Sequence, residues 1–164
     1  MYRPVLKLPQ TKAEKIGNYI GGGLFILSIL YMIYMWEDLP TNIPMHFDGA
    51  GEVDRWGSKW QLLILPAIGL ILWVMMALFE KMPHIHNYPE RLNEKNVERF
   101  YLNSRKLLNE VKNFCLILFA GISVQTIRIA MEKTDSLGWW FLPIVIIGTA
   151  IPVIKCLIVS SKIK

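Results

Sequence analysis

The apolar residues of this chain gather in four long blocks, roughly residues 17–36, 60–79, 114–131 and 139–160, and do not follow the short periods of a soluble core. Each block holds about 18–22 residues, enough for a helix rising ~1.5 Å per residue to cross a ~30 Å hydrocarbon layer. A buried core helix explains one such block, but four in 164 residues leave too little polar sequence to cover them. The pattern predicts an all-α integral membrane protein, a single membrane domain over 1–164 with four transmembrane helices. A polar loop at 37–59 follows the first span, and a connection at 80–113 joins the second to the third. Lys81 to Pro89 reads as irregular chain. Beyond it, Val97, Phe100, Tyr101, Leu108 and Val111 recur at helical steps, so a helix capped by Asn93 is expected to run into the third span.

Composition supports that class. Hydrophobic residues make up 53% of the chain and charged residues 19%, against about a quarter charged in a soluble domain. The charges then set an orientation. Arg3, Lys7, Lys12 and Lys15 precede the first span, seven Lys and Arg from Lys81 to Lys112 fill the second connection, and Lys155, Lys162 and Lys164 end the chain. The 37–59 loop has only Arg55 and Lys59 against five acids, and the third connection has Lys133 alone. Basic segments stay on the cytoplasmic side during insertion. The expected arrangement is a multi-pass protein of the cell membrane with both termini and the 80–113 connection cytoplasmic, and with the 37–59 loop extracellular. Trp36, Trp56, Trp60, Trp139 and Trp140 fall at the outer ends of spans, where amphipathic rings sit at headgroup level. The net charge of +5 follows from this topology and implies the lipid bilayer as partner, not nucleic acid.

Smaller features fit the same frame. The first block is longer than a signal-peptide core and lacks a small-residue cleavage pattern, so it is expected to remain as a span. Cys115 and Cys156 lie near cytoplasmic helix ends and are expected to be reduced thiols. Gly17 and Gly21, followed by Gly22 and Gly23, give the first helix a smooth surface suited to packing inside the bundle or to dimerisation. Pro66 and Pro152 lie within spans and are expected to kink them. Arg128 and Glu132, one turn apart, are expected to pair. The basic residues of the 93–113 helix suit either a cytosolic partner or anionic lipid.

Candidate chemistry concentrates in the 37–59 loop. Leu39-Pro40 and Ile43-Pro44 impose extended or turn geometry before each proline, and Asp48-Gly49-Ala50-Gly51 supplies a turn. Trp56 and Trp60 have the spacing of one helix face leading into the second span. The loop is expected to fold as an ordered cap, with Ile43, Met45, Phe47 and Val53 available for packing. The loop's candidate metal ligands are His46, Asp48, Glu52 and Asp54, without the second His of an H-x-x-x-H site or a calcium-loop spacing. The competing reading is that His46 bonds a loop carbonyl or carboxylate while Asp48 and Asp54 fix turns. His84 and His86 form a weaker pair. Ser/His/Asp sets, phosphate loops and H-E-x-x-H helices are all missing from the sequence, so no catalytic residue and no cofactor is assigned.

The stretch LPTNIPMHFDGAGEVDRWGSK resembles the hallmark of the domain-of-unknown-function family numbered 1648, in which one span leads through an LP…IP.HF…G..D..GSK segment into a second. Leu39, Pro40, Ile43, Pro44, His46, Phe47, Gly51, Asp54, Gly57, Ser58 and Lys59 carry the likeness, and Asp48 lies within it. Asn87-Tyr88-Pro89 with Asn96, Glu98, Arg99 and Tyr101 resembles a second block of that family, with Leu92-Asn93 in place of its usual Ile-Thr. The best-known relatives are SdpI-type membrane proteins of Gram-positive bacteria, which protect a producing cell from a secreted toxin peptide and recruit a repressor to the membrane. The resemblance implies a non-enzymatic immunity or signal-sensing protein that recognises an extracellular ligand, such as a secreted peptide, through residues 39–59. The alternative is a structural or assembly partner of another membrane protein. A metal-dependent enzyme or transporter stands behind both.

Overall fold

The computed structural model describes residues 3–164. Among these residues, four helices are long and apolar enough to cross a membrane. They are α1 (Lys12–Met35), α2 (Ile64–Glu80, entered through a 3-10 turn at Lys59–Leu63), α3 (Val97–Ala130) and α4 (Phe141–Lys162). The chain is a multi-pass helical membrane protein. α1 starts five residues before the apolar block because Thr11 and Glu14 form a capping box. The Glu14 amide donates to Thr11 Oγ1 at 3.3 Å, and the Thr11 amide donates to Glu14 Oε2 at 2.6 Å. α3 is one unbroken helix of 34 residues, roughly 51 Å long and therefore longer than the hydrocarbon layer. Its first turn begins at Val97, later than expected, because Asn93 makes a local turn instead of a helix cap. The Asn93 side chain accepts from the Lys95 amide, and its backbone amide donates to Asn96 Oδ1.

α3 is the axis on which α1, α2 and α4 each pack. Its buried residues, Phe100, Tyr101, Arg105, Asn109, Lys112, Leu116, Ala120, Ser123 and Ile127 among them, recur at three and four and make one stripe. Gly17 and Gly21 of α1 face that stripe: a Cβ on Gly21 would meet the Asn113 side chain at 2.6 Å. These glycines therefore serve close packing inside the bundle. Pro66 falls in the first turn of α2, where a missing amide costs little, so the expected mid-span interruption is displaced to the helix start.

The expected loop at 37–59 is a β-hairpin, the one pair of strands among the described residues. β1 (Asn42–Phe47) and β2 (Val53–Ser58) pair antiparallel, Asn42 opposite Ser58 and Phe47 opposite Val53, with an irregular step around His46. The extended geometry that Pro44 imposes on Ile43 matches a strand as well as a turn. Trp56 consequently lies on β2 opposite Pro44 and shares no helix face with Trp60, whose ring packs edge-on against Trp36 at 5.1 Å. The Arg128–Glu132 pairing and the placement of the two cysteines are adjusted at the helix ends. Glu132 takes φ 56 as α3 ends and makes no ion pair with Arg128. Lys155 is paired with Glu110 at 2.6 Å. Cys156 lies beside Asn103 near the basic end, whereas Cys115 follows Phe114, which packs at Gly148 about 12 Å along α4 from Cys156. Both thiols are free.

Candidate functional site

The hairpin is held from below, from the side and at its tip. Below, Ile43 is fully buried in a cluster with Met32, Met35, Leu39, Leu62, Ile127 and Ala130, where α1, α2 and α3 converge. At the junction with α2, Lys59 Nζ donates to the Trp36 carbonyl at 3.2 Å and lies 5.3 Å over the Trp36 ring. A cation there satisfies a free carbonyl at the end of α1 and complements the helix dipole. Ser58 caps the 3-10 turn through the Trp60 amide. Gly57 is required by crowding, since a Cβ would run into the Gln61 and Met45 side chains.

The tip is fixed by Asp48 and Gly51. Asp48 Oδ1 accepts from the Ala50 and Glu52 amides at 2.8 and 2.9 Å, an Asx-type turn. Gly51 has φ 84, and a Cβ there would lie 2.8 Å from the Gly138 carbonyl oxygen. Its own carbonyl accepts from the Leu137 amide at 2.8 Å. The hairpin is thus locked to the α3–α4 connection, which is why the position suits glycine twice over.

His46 and Asp54 face each other across the irregular step of the sheet, with Nδ1 at 2.6 and 2.9 Å from the two carboxylate oxygens. Both side chains are about half exposed. Asp48 is turned into its own loop, and among the described residues no group of three or more His, Cys, Asp or Glu gathers in metal-binding range. Pro40 is exposed on the approach to β1, and Phe47 is half buried. Between the hairpin and the ends of α2, α3 and α4 lies a cavity of about 520 Å³. His46, Phe47, Arg55 and Trp56 line it from the hairpin, and Ile122 and Thr126 from α3. Among the described residues Arg55 makes no ion pair or hydrogen bond, so its guanidinium is available to a ligand at an otherwise largely apolar site. The arrangement is suited to holding an amphipathic group.

The opposite end of the bundle buries charges that the linear pattern places in the 80–113 connection. Lys112 Nζ lies 2.7 Å from Glu80 Oε1, with side-chain exposures of 2% and 5%. Asn109 donates to Glu80 and to Asn18 Oδ1, and Asn113 donates to Asn18 and to the Asn109 carbonyl. Asn113 Oδ1 has no hydrogen-bond partner. One layer further out, Arg105 grips Glu14 through Nε and Nη2 at 2.8 and 3.0 Å, and donates to the Leu8 and Pro9 carbonyls. That clamp ties the extended N-terminal arm to α3. The signal for both layers was present in the sequence: Arg105, Asn109 and Lys112 continue the helical stripe of Val97 and Tyr101.

His86 belongs to the same end. Its Nδ1 is 2.7 Å from Ser104 Oγ and its Nε2 is 3.1 Å from the Phe79 carbonyl. Burial, with a smaller contribution from His84, holds its pKa below the ordinary histidine value, against the opposing bond to Phe79. Burial also pushes the Tyr88 phenol up to about 12. His84 and His86 are not joined as a metal site.

Comparison with known proteins finds likeness over part of the chain. An uncharacterized protein of Archaeoglobus fulgidus is 34% identical over 87 residues, covering 52% of this chain and 46% of that protein. The chain thus spans about half the length of the curated relative it matches. No solved structure matches it. Residues 23–70, which hold the latter half of α1, the whole hairpin and the start of α2, match the family described as a domain of unknown function, DUF1648. The unit of helix, hairpin and helix, with its LP…IP.HF…GSK motif, is the part of the chain that is similar to DUF1648.

Proposed function

We propose that the chain is a non-enzymatic membrane protein of the immunity or signal-sensing type, which recognises an amphipathic ligand through the hairpin. The observation that carries this reading is the cavity of about 520 Å³ beneath the hairpin, with the unpaired Arg55 guanidinium on its wall. A secreted, membrane-active peptide fits that chemistry: apolar side chains enter between the helices while an acidic or carbonyl group meets Arg55. On this reading the hairpin faces outward, both termini are cytoplasmic in the cell membrane, the bilayer is the standing partner and nucleic acid is not one. Reporter fusions after Glu52 and after Asn103 are expected on opposite sides of the membrane.

The functional test is protection. Cells expressing the chain are challenged with a panel of secreted membrane-active peptides, beside cells expressing Ile122→Trp, which fills the cavity. Protection by the wild type that is lost in the variant, at equal protein level, supports recognition in the cavity. Equal protection by both contradicts it, and no protection by the wild type against any peptide contradicts the immunity form.

A structural or assembly role is the second reading. It is favoured by α4, which joins the bundle through α3 and whose apolar window is 6% buried. Such a helix has most of its surface available to another membrane protein.

A further inference from the structure

The end of the bundle away from the hairpin carries a cleft between α3 and α4 that the reading above does not use. Arg99, Asn103, Lys106 and Glu110 stand at i, i+4, i+7 and i+11 of α3, which places them on one stripe. Pro152, Lys155, Cys156 and Val159 form the facing stripe of α4, and the two enclose about 260 Å³. The helices are pinned there by Asn103 Nδ2, which donates to the Cys156 carbonyl at 2.9 Å, so the cleft is preformed. Its floor is apolar, from Leu102, Leu107, Pro152 and Val159.

The rim is cationic. Arg99, Lys106 and Lys155 stand against a single acid, Glu110, and Glu110 is already bound to Lys155 at 2.6 Å. Arg99 and Lys106 are exposed and make no hydrogen bond or ion pair among the described residues. Two unpaired cations above an apolar floor, beside a helix whose Leu157 and Ile158 are exposed to lipid, define one kind of occupant. It must offer a compact anion at the membrane surface and an apolar chain below it.

We propose that this cleft is a binding site for an anionic phospholipid, with its phosphate between Arg99 and Lys106 and an acyl chain running down the α3–α4 groove. A free phosphate would leave the apolar floor wet. A zwitterionic lipid would bring its own cation to the basic rim. Basic recesses between membrane helices bind anionic headgroups for this reason.

The test uses the full chain in detergent, with phosphatidylglycerol and phosphatidylcholine of the same acyl chains as probes and native mass spectrometry as readout. The wild type is expected to prefer phosphatidylglycerol. Arg99→Gln with Lys106→Gln lowers that preference about 30-fold, from about fivefold per cation. Lys12→Gln with Lys15→Gln removes the same charge at the same end and leaves the preference near the wild-type value. Val159→Trp keeps every charge, fills the floor and also abolishes the preference. If the double variant does not fold, Lys106→Gln alone carries the test with about a fivefold loss. Equal losses in the Arg99/Lys106 and Lys12/Lys15 variants would overturn the site in favour of diffuse attraction. So would retained preference in Val159→Trp, or thermal protection by inorganic phosphate equal to that by phosphatidylglycerol.

Discussion

The two ends of the α1–α2–α3 bundle solve the same packing problem with opposite materials. At the hairpin end the helices meet through Met32, Met35, Ile43, Leu62 and Ile127, and the hydrogen-bonded pair His46–Asp54 stays at the surface. At the arm end they meet through Glu80–Lys112 and Glu14–Arg105, with all four side chains nearly buried. The difference follows from solvent. In lipid, apolar side chains gain nothing by facing each other rather than acyl chains, whereas polar groups can only be satisfied inside the bundle. The hairpin end projects an extra folded element beyond the helices, so there an apolar cluster is removed from water and the hydrophobic effect operates as in a soluble protein. Polar contacts therefore hold the arm end, and the hairpin end leaves its polar groups for other uses.

The largest expected effect comes from breaking the deeper ion pair. Lys112→Met leaves the Glu80 carboxylate buried without its cation and is expected to destabilise the protein by about 3–5 kcal/mol. Adding Glu80→Gln should recover much of that loss in a thermal unfolding assay of detergent-solubilised protein. A Lys112→Met variant as stable as the wild type would mean that the pair does not hold the bundle. Arg105→Ala is next, at about 2–3 kcal/mol, because hydrogen bonds to a charged group are lost. Its particular signature is release of the arm. Limited proteolysis should cut near Lys7 at least several times faster than in the wild type.

At the other end, Gly51→Ala places a Cβ at positive φ against the Gly138 carbonyl and is expected to cost about 1–3 kcal/mol. The readout is faster amide exchange at Leu137, whose amide bonds the Gly51 carbonyl. The smallest effect is a pH dependence at His86. Its pKa is lowered on folding, so the neutral form is favoured in the folded state. The stability this contributes is complete above the ordinary histidine value of about 6.5 and is lost as pH falls below it. The melting temperature of the wild type should fall more between pH 7.5 and 5.5 than that of His86→Gln.

Much of this architecture was legible in the sequence. Four apolar blocks gave the helices, and the periodic set from Val97 to Val111 announced the extension of α3. The motif residues of the 37–59 segment were correctly expected to form an ordered cap. The His46–carboxylate bond and the Asp48 turn also follow from the residue types in the motif. The strands were not foreseen because β1 is buried as Ile43-Pro44 together, without the alternation that marks a half-buried strand. The cavity was invisible because its wall is assembled from the hairpin, α2, α3 and the α3–α4 connection, which only the fold brings together. The buried ion pairs were missed for a different reason. Lys112 and Arg105 count as topogenic charges in a linear reading, and only the helical register of α3 turns them inward toward Glu80 and Glu14.

The contrast between the two ends is tested most directly by paired double-mutant cycles in one detergent, Glu80→Gln with Lys112→Met against His46→Ala with Asp54→Ala. The cycle isolates the coupling within each pair from the cost of each truncation. A coupling of about 2–3 kcal/mol for Glu80–Lys112 is expected, within the range for groups in one buried network, and about 0–1 kcal/mol for the exposed His46–Asp54 pair. Equal couplings, or the larger value at His46–Asp54, would contradict the account.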